Sequence, residues 1–230
     1  SLIDDAVEAG VPLIFFNREP VEEDLMRGEK VYYVGSDAKE TAILQSMITT
    51  SLWYRDRQAI DTNDNDKIEY VMLEGEMGHQ DAMIRTEWSI RSLTQNGIAT
   101  EKLQSGIANW DRNQAAAMME GWLNSFGKSI ELVIANNDDM ALGAADAMEK
   151  LGIKGIEIVG IDATPQGLEA VGDGRLLGTV DCNTKTHADS IFRLACGLAI
   201  DGNVPPDITL ENGRYLRVKL HTVTKKDISE

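Results

Sequence analysis

The sequence predicts an α/β fold in which parallel β-strands alternate with amphipathic helices. Short apolar runs of strand length recur along the chain, longer segments with helical spacing separate them, and polar residues stand where the runs end. Apolar runs of about four to six residues, bounded by Gly, Asn or Asp, are typical of strands buried on both faces. Strands and helices that alternate in this way form a parallel sheet covered by helices.

The predicted strands are Leu13–Phe16, Val31–Val34, Tyr70–Leu73, Leu132–Ala135, Ile156–Ile161, Leu177–Val180 and Tyr215–Leu220. The predicted helices are the amphipathic segments 37–54, 79–96, 112–126, 138–151, 164–173 and 184–201. The chain also opens in helical rhythm at Ser1, without an initiator Met or a signal peptide.

Length and charge narrow the class of protein. The 230 residues correspond to between one and two domains. With 38 acidic and 22 basic side chains the formal charge is −16, which disfavours nucleic acids and anionic membrane surfaces as partners. No apolar run approaches the roughly 18 residues of a membrane-spanning helix, and two cysteines cannot form a disulfide framework.

The sequence lacks the common catalytic motifs. No Gly-rich phosphate loop follows a predicted strand, and no G-x-S-x-G elbow is present. The three histidines, His79, His187 and His221, do not have the spacing of a zinc site. These absences favour a binding protein over an enzyme.

Polar residues end several of the predicted strands, namely Asn17, Glu74, Asn137 and Asp162. In open α/β sheets, ligands bind just outside the carboxyl ends of the strands. Each of these residues could equally cap the helix that follows it. Because several of them occur together, the pattern favours a ligand site.

Residues 60–69 form a dense acidic loop with oxygen donors at alternate positions. Asp61, Asn63, Asn65, Lys67 and Glu69 match positions 1, 3, 5, 7 and 9 of a calcium loop, with position 7 contributing its backbone carbonyl. The match to an EF-hand is incomplete. Position 6 is Asp66 rather than Gly, and position 12 is Met72 rather than Glu. The alternative is a solvated acidic loop that binds no metal.

Several motifs resemble those of the bacterial galactose/glucose-binding proteins. They are Phe15-Phe16-Asn17-Arg18-Glu19-Pro20, Gly75-Glu76-Met77-Gly78-His79-Gln80-Asp81-Ala82, Ala135-Asn136-Asn137-Asp138 and Gly160-Ile161-Asp162-Ala163. The resemblance extends from Ser1 to about Ile228. It implies two Rossmann-like lobes of the type I periplasmic-binding-protein fold, with a monosaccharide, D-galactose or D-glucose, in the cleft. It also implies an extracytoplasmic receptor, periplasmic or lipid-anchored, that serves an ABC permease and, in some members, a chemoreceptor.

The same resemblance implies a set of sugar contacts. Trp110 corresponds to the aromatic residue that lies flat against one sugar face, although a Trp at a strand end is also common in core or rim packing. His79 and Arg85 could instead be a helix-start residue and a surface charge paired with Asp81. The implied sugar contacts are Asn17, His79, Asp81, Arg85, Trp110, Asn137 and Asp162.

A structural calcium site is also implied by the resemblance. Asp61, Asn63, Asn65, the Lys67 carbonyl and Glu69 correspond to the family's loop. Glu131, which precedes the Leu132–Ala135 strand, corresponds to its remote bidentate carboxylate and supplies the ligand that the EF-hand comparison lacks.

The family map assigns residues 1–36 and 183–218 to a partial N-terminal lobe, and residues 37–182 and 219–230 to the C-terminal lobe. Two β-α units that open the family's N-terminal lobe have no counterpart, so we expect weakened sugar binding and self-association through an exposed sheet edge. A further sugar-contacting Asn of the family aligns with Cys182, and Asn183 follows one residue later. Which of these two residues takes that position stays open.

Two other classes of protein compete with the transport receptor. The effector domain of a LacI-type repressor shares this fold, but the calcium loop and the acidic surface argue against it. A sugar-modifying α/β enzyme could use His79 and Asp81 as acid and base, but no cofactor motif supports that reading.

Overall fold

The computed structural model describes residues 1–228, which fold as two compact units. The first unit comprises Ser1–Asp37 and Cys182–Lys219, and the second comprises Ala38–Asp181 and the segment that begins at Leu220. Each of the three points at which the chain passes from one unit to the other lies one residue from the boundary expected from the sequence. Positions 229 and 230 of the expected C-terminal lobe lie outside the described residues.

The elements follow in chain order. They are α1 (Leu2–Ala9), β1 (Leu13–Phe16), α2 (Glu22–Leu25), β2 (Val31–Gly35), α3 (Ala38–Arg55), β3 (Lys67–Glu74), α4 (Gln80–Gln95), β4 (Ala99–Ile107), α5 (Arg112–Phe126), β5 (Leu132–Ala135), α6 (Asp138–Leu151), β6 (Glu157–Val159), α7 (Pro165–Asp173), β7 (Gly178–Asp181), α8 (Thr184–Ile200), β8 (Tyr215–Arg217), β9 (His221–Thr224) and α9 (Lys225–Ile228).

The first unit contains a parallel sheet in the order β1-β2-β8. The buried Leu25 and Tyr33 form part of its core, and Tyr215 packs edge-on against Tyr33 at a centroid distance of 6.4 Å. Arg217 forms a two-point ion pair with Glu19, at 2.6 and 2.8 Å. β1 has one partner among the described strands and therefore forms one edge of this sheet; self-association through that edge stays a prediction.

The second unit is built on a six-stranded sheet in the order β4-β3-β5-β6-β7-β9. All neighbouring strands are parallel except β7 and β9, which run antiparallel. The predicted alternation of strands and helices is thus confirmed, with one antiparallel strand added. Among residues 1–228, no helix has both the length and the apolar content needed to cross a bilayer.

Two features of the sheets differ from the sequence prediction. β4 was not predicted because its residues are largely polar and only partly buried. Such a composition is possible at the edge of a sheet, and β3 is the single partner of β4 among the described strands. The predicted strand over 215–220 is interrupted: β8 ends at Arg217, and β9 begins at His221 in the other sheet. Residues 218–220 thus belong to neither strand, and the strand that follows the predicted run lies in the other sheet, which periodicity alone does not reveal.

Helices α4, α5, α6 and α7 of the second unit begin at side-chain caps. Asn137 caps α6 by accepting a hydrogen bond from the Met140 N–H at 2.9 Å, and Gly152 ends the helix in the left-handed conformation. The inner face of α6 is rich in alanine and packs into the core beside β3 and β5. Small side chains on this face let the helix lie close to the sheet, which fixes the position of its first turn.

Candidate functional site

Six of the predicted sugar contacts belong to the second unit and follow the carboxyl ends of its strands. Those strands are parallel neighbours in the order β4-β3-β5-β6, so their carboxyl ends meet at one edge of the sheet. The six residues are His79, Asp81 and Arg85 after β3, Trp110 after β4, Asn137 after β5 and Asp162 after β6.

Arg85 is the central cation of this edge. Its Nη1 donates a hydrogen bond to the carbonyl of Asn136 at 2.8 Å and lies 3.9 Å from Oδ1 of Asp162. The guanidinium carbon is 5.9 Å from the ring centroid of Trp110. Only 10% of the side chain is exposed, yet its Nε has no hydrogen-bond partner among residues 1–228. A buried N–H group without a partner costs free energy until a ligand or water accepts its hydrogen bond.

His79 and Trp110 form an aromatic wall beside this cation. The Nδ1 of His79 accepts a hydrogen bond from the Asp81 N–H at 3.2 Å, which caps α4. The imidazole then meets the indole of Trp110 edge-on, with centroids 5.2 Å apart and planes at 77°. Trp110 is half-buried and has a left-handed backbone, with φ at 63°. The helix-start role weighed for His79 therefore coexists with its place in the site.

Asn137 caps the helix that follows it and also contacts Trp110, while its role as a sugar contact stays a prediction. Its Oδ1 caps α6, while its Nδ2 donates a long hydrogen bond of 3.4 Å to the carbonyl of Trp110. The capping bond fixes the side chain at the edge of the sheet. Its amide therefore stands beside the Trp110 backbone in a fixed orientation.

Asp162 is the carboxylate that faces Arg85. Its pKa is raised to about 6, chiefly by burial; Arg85 opposes this effect, and the charges of Asp139 and Asp81 add to it. A third of its side chain, 34%, is still exposed. Its φ of 122° lies in a region that side chains rarely adopt. Asp162 is thus both strained in its backbone and unusually easy to protonate.

Sequence reasoning missed Asn136 as a site residue. Its carbonyl receives Arg85, and its Oδ1 accepts hydrogen bonds from the Gly75 N–H at 3.1 Å and the Thr86 hydroxyl at 3.2 Å. Asn136 therefore joins β3, α4 and β5 at the edge where the site lies. The only signal in the sequence is the pair of asparagines after a buried strand, and that signal does not separate the two roles.

The remaining candidates belong to the first unit. Asn17 follows β1, has a φ of 64° and is exposed. Cys182 is buried, and Asn183 caps α8 by accepting a hydrogen bond from the Thr186 N–H at 3.3 Å. Neither finding decides which of Cys182 and Asn183 takes the family position.

The acidic loop forms a second cluster of candidate ligands in the second unit. Asn63 and Asn65 each donate a hydrogen bond to the Glu69 carboxylate, at 3.1 and 2.8 Å. The Glu131 carboxylate accepts hydrogen bonds from the Thr62 N–H at 2.6 Å and the Glu69 N–H at 3.2 Å. The loop and the start of β5 are thereby joined through oxygen-bearing side chains, the type that calcium prefers.

The two glutamates of this cluster perturb one another. Burial raises the pKa of Glu131, and its contact with the Glu69 side chain raises it further. Burial also opposes ionisation of Glu69, but hydrogen bonds from Asn65, Glu131 and Asn63 outweigh it and lower that pKa. Two carboxylates in contact at a buried position are stabilised by a proton or by a cation. The donor set therefore fits a hard cation.

Basic side chains compete for the same carboxylates. Arg57 donates two hydrogen bonds to Asp61, at 3.0 and 2.9 Å, and also pairs with Asp66. Lys67 Nζ lies 3.3 Å from Glu69. Within residues 1–228, no three His, Cys, Asp or Glu side chains converge as a metal site. Asp66 has a φ of 67°, the left-handed conformation that position 6 of a calcium loop requires.

Comparison with known proteins identifies the class. The family described as "Periplasmic binding protein domain" matches residues 1–203. The chain therefore belongs to the periplasmic binding protein family, whose members bind solutes and are not enzymes. Its fold is the α/β periplasmic-binding-protein fold, and family members are normally extracytoplasmic.

The chain is similar to particular members of this family. It is 36% identical to the D-galactose/methyl-galactoside binding periplasmic protein MglB of Haemophilus influenzae over 200 residues, covering 86% of this chain and 60% of that protein. It is 32% identical to a putative rhizopine-binding protein of Rhizobium meliloti, covering 98% of this chain and 67% of the relative. An ABC transporter solute binding protein from Bacillus halodurans with bound myo-inositol aligns with a TM-score of 0.82 at 29% identity, covering 99% of this chain and 71% of that one. The chain thus spans 60% of the length of the Haemophilus protein and 67% of the Rhizobium protein.

Proposed function

We propose that this chain carries the carbohydrate-binding surface of a receptor that delivers a monosaccharide to an ABC transporter. The observation that carries the proposal is the Nε–H of Arg85. This group is buried, has no hydrogen-bond partner among the described residues, and belongs to a guanidinium that lies close to the Trp110 ring. A sugar hydroxyl is an acceptor that satisfies such a donor. The same Arg85 approaches the Asp162 carboxylate, so donor and acceptor groups are available side by side.

The chemistry of the edge suits a pyranose. A pyranose has hydroxyls around its rim and C–H groups on its faces, and an indole packs well against such a face. Charged groups that bond neutral hydroxyls contribute roughly 1.5–3 kcal/mol per bond. We assign the apolar contact to Trp110 and the polar contacts to the other predicted residues, which are His79, Asp81, Arg85, Asn137, Asp162 and, in the first unit, Asn17.

D-galactose or D-glucose is the sugar that we propose. The name of the Haemophilus relative supports galactose, while the Bacillus structure contains myo-inositol and the Rhizobium relative is named for a rhizopine. A site that bonds each hydroxyl rejects a ligand lacking one, because a buried polar group is then left unpaired. An ABC permease as the partner and an extracytoplasmic location belong to the same proposal.

Isothermal titration calorimetry tests the proposal with D-galactose, D-glucose, D-ribose and myo-inositol. We expect Arg85→Met to weaken hexose binding about 10-fold or more, since a hydrogen bond to a charged group is lost. Arg91→Met is the matched control on the same helix, because Arg91 is 53% exposed and pairs with Glu87 on the surface. A wild-type chain that binds none of the four compounds overturns the proposal. An Arg85→Met chain that binds like wild type overturns the assignment of the site.

We also propose that the acidic loop holds a structural calcium ion. Its ligands would be Asp61, Asn63, Asn65, the Lys67 carbonyl, Glu69 and Glu131. The contact between Glu69 and Glu131 supports this assignment, because a divalent cation would neutralise both carboxylates. When bound, the ion supplies charge neutralisation and a cross-link. The residues themselves tie the loop before β3 to the start of β5 through the Thr62–Glu131 hydrogen bond.

A further inference from the structure

The carboxylate of Asp138, which sequence reasoning did not assign to the site, lies close enough to Asp162 to interact with its charge. Asp138 is the first residue of α6 and is completely buried. Its backbone N–H donates a hydrogen bond to the carbonyl of Ile161 at 2.8 Å. The residue thus contacts the segment that carries Asp162 through its main chain.

The side chain of Asp138 contacts the same segment from its other end. Its Oδ2 accepts hydrogen bonds from the Thr164 N–H at 2.8 Å and the Thr164 hydroxyl at 3.3 Å. Its Oδ1 accepts a hydrogen bond from the hydroxyl of Thr179 at 2.6 Å. Thr179 is itself completely buried, and its oxygen accepts a hydrogen bond from the Ala163 N–H at 3.3 Å. Asp138 therefore reaches residues 161, 163 and 164 directly or through one hydroxyl.

The surrounding chain is shaped to admit this carboxylate. A Cβ atom on Gly160 would lie 2.3 Å from Oδ1 of Asp138, and one on Gly167 would lie 2.2 Å from its Oδ2. Both distances are far inside van der Waals contact. Two glycines thus permit the close approach of the carboxylate to the turn between β6 and α7.

The segment held in this way has an unfavourable backbone. Asp162 has a φ of 122° and Ala163 a φ of 51°, and neither is a glycine. Such conformations persist only where the surrounding contacts over-determine them. The hydrogen bonds accepted by the Asp138 carboxylate come from Thr164 and Thr179, which lie outside α6, while Asn137 caps that helix. The contacts of this carboxylate therefore serve the turn rather than its own helix.

We propose that Asp138 is a positioning residue that, with Thr179, holds the Asp162–Ala163 turn in the conformation that presents Asp162 to Arg85. The inference rests on the proposed function only for the role of Asp162 as a sugar contact. The hydrogen bonds that hold the turn are made within the chain itself. The proposal therefore has a test that does not require sugar.

Amide hydrogen exchange by NMR on the whole chain without sugar provides this test. Thr179→Val removes the hydroxyl but keeps the shape, whereas Thr179→Ser keeps the hydroxyl but removes the methyl group. If Thr179 acts through its hydrogen bonds, the Val variant exchanges the Ala163 amide at least 10-fold faster and the Ser variant stays near wild type. If Thr179 acts only through packing, the Ser variant is the more perturbed one, and the proposal is overturned.

Asp138→Asn extends the amide-exchange test, and its exposed neighbour Asp139→Asn is the matched control for the exchange rates alone, because Asp139 itself raises the pKa of Asp162. We expect Asp138→Asn to accelerate exchange at Ala163 and Thr164 while Val133 in β5 keeps its rate. We also expect the titration midpoint of the Asp162 carboxyl to fall from about 6 towards its ordinary value, because a released turn is better hydrated. Uniform acceleration across the sheet, or no change at either amide, contradicts a positioning role. If Asp138→Asn does not fold, the Thr179 pair still decides.

A parallel titration with the same four compounds separates the two proposals. If the wild-type chain binds none of them but Thr179→Val releases the Ala163 amide, the proposed function is wrong and the positioning role holds. If the sugar binds and the amide is unaffected, the positioning role is wrong and the proposed function holds.

Discussion

Gly75 lies directly against the indole of Trp110. A Cβ atom on Gly75 would come within 2.2 Å of ring carbon Cζ2, a distance that no side chain can occupy. Gly75 immediately follows β3, and its N–H donates a hydrogen bond to Asn136, so its backbone cannot easily retreat. The absence of a side chain at this position therefore sets the depth at which the ring lies.

Gly75→Ala is expected to displace the Trp110 ring. If Trp110 forms the apolar wall of the site, the substitution weakens hexose binding about 10-fold or more. Overpacking of this position should also lower the free energy of unfolding by roughly 1–3 kcal/mol. Calorimetric titration measures this loss, and the tryptophan emission spectrum reports the movement of the ring. Gly121→Ala is the control, because a Cβ there meets nothing within 4 Å. That exposed position in α5 should gain up to about 1 kcal/mol of stability. Unchanged sugar affinity in Gly75→Ala would contradict the role of Trp110.

The arrangement around Gly75 illustrates what could be predicted from the sequence. Buried strands such as Leu132–Ala135 carry a periodic apolar signal, so the alternating α/β order was predicted and is confirmed. β4 carries no such signal because edge strands tolerate polar residues. The resemblance identified His79 and Trp110, but their edge-on contact depends on a tertiary approach that periodicity does not encode.

The supporting residues are harder to find for a related reason. The side chain of Asp138 bonds Thr179, which is 41 positions away in the sequence. An aspartate after a strand-end asparagine is equally typical of an ordinary helix start. Only the folded chain reveals that its hydrogen bonds reach the segment between β6 and α7. The role of a buried polar residue is thus decided by its partners, and partners are a tertiary property.

Calcium is expected to raise the melting temperature of the chain, and EDTA is expected to lower it. A ligand that binds only the folded state stabilises it by RT ln(1 + [L]/Kd), which is about 2.7 kcal/mol at 100-fold saturation. Differential scanning calorimetry in calcium and in EDTA measures the difference. Identical melting curves in the two buffers would contradict the site.

Glu131→Gln tests which residues hold the ion. Glu131 is buried, and its raised pKa reflects burial and its contact with Glu69. The substitution removes one carboxylate, so we expect most of the calcium-dependent shift in melting temperature to disappear. Glu87→Gln is the control, because Glu87 is 64% exposed and pairs with Arg91 on the surface of α4. A Glu131→Gln chain that retains the full calcium response would assign the ion to another place.

The stability contributed by the Asp138 proton is expected to fall as the pH rises from about 4 to 7. Burial raises the pKa of Asp138 from 3.8 to about 7, and Asp162 adds to this effect, while hydrogen bonds from Thr179 and Thr164 oppose it. Between those two pKa values the folded chain holds a proton that the unfolded chain has released. Stability therefore decreases as the pH rises through this window, by at most about 4 kcal/mol once the pH exceeds 7.

Urea unfolding at pH 5, 6, 7 and 8 measures this dependence. Asp138→Asn removes the titrating group, so this variant should be less stable than wild type at pH 5 yet lose less stability between pH 5 and 8. Asp173→Asn should keep the wild-type slope, because Asp173 is exposed at the end of α7 and pairs with Arg175. The contribution of Asp162 to the slope should shrink in the same variant, because its raised pKa is expected to fall when the turn is released. If Asp138→Asn retains the full slope, the proton is held elsewhere, and the raised pKa of this carboxyl is wrong.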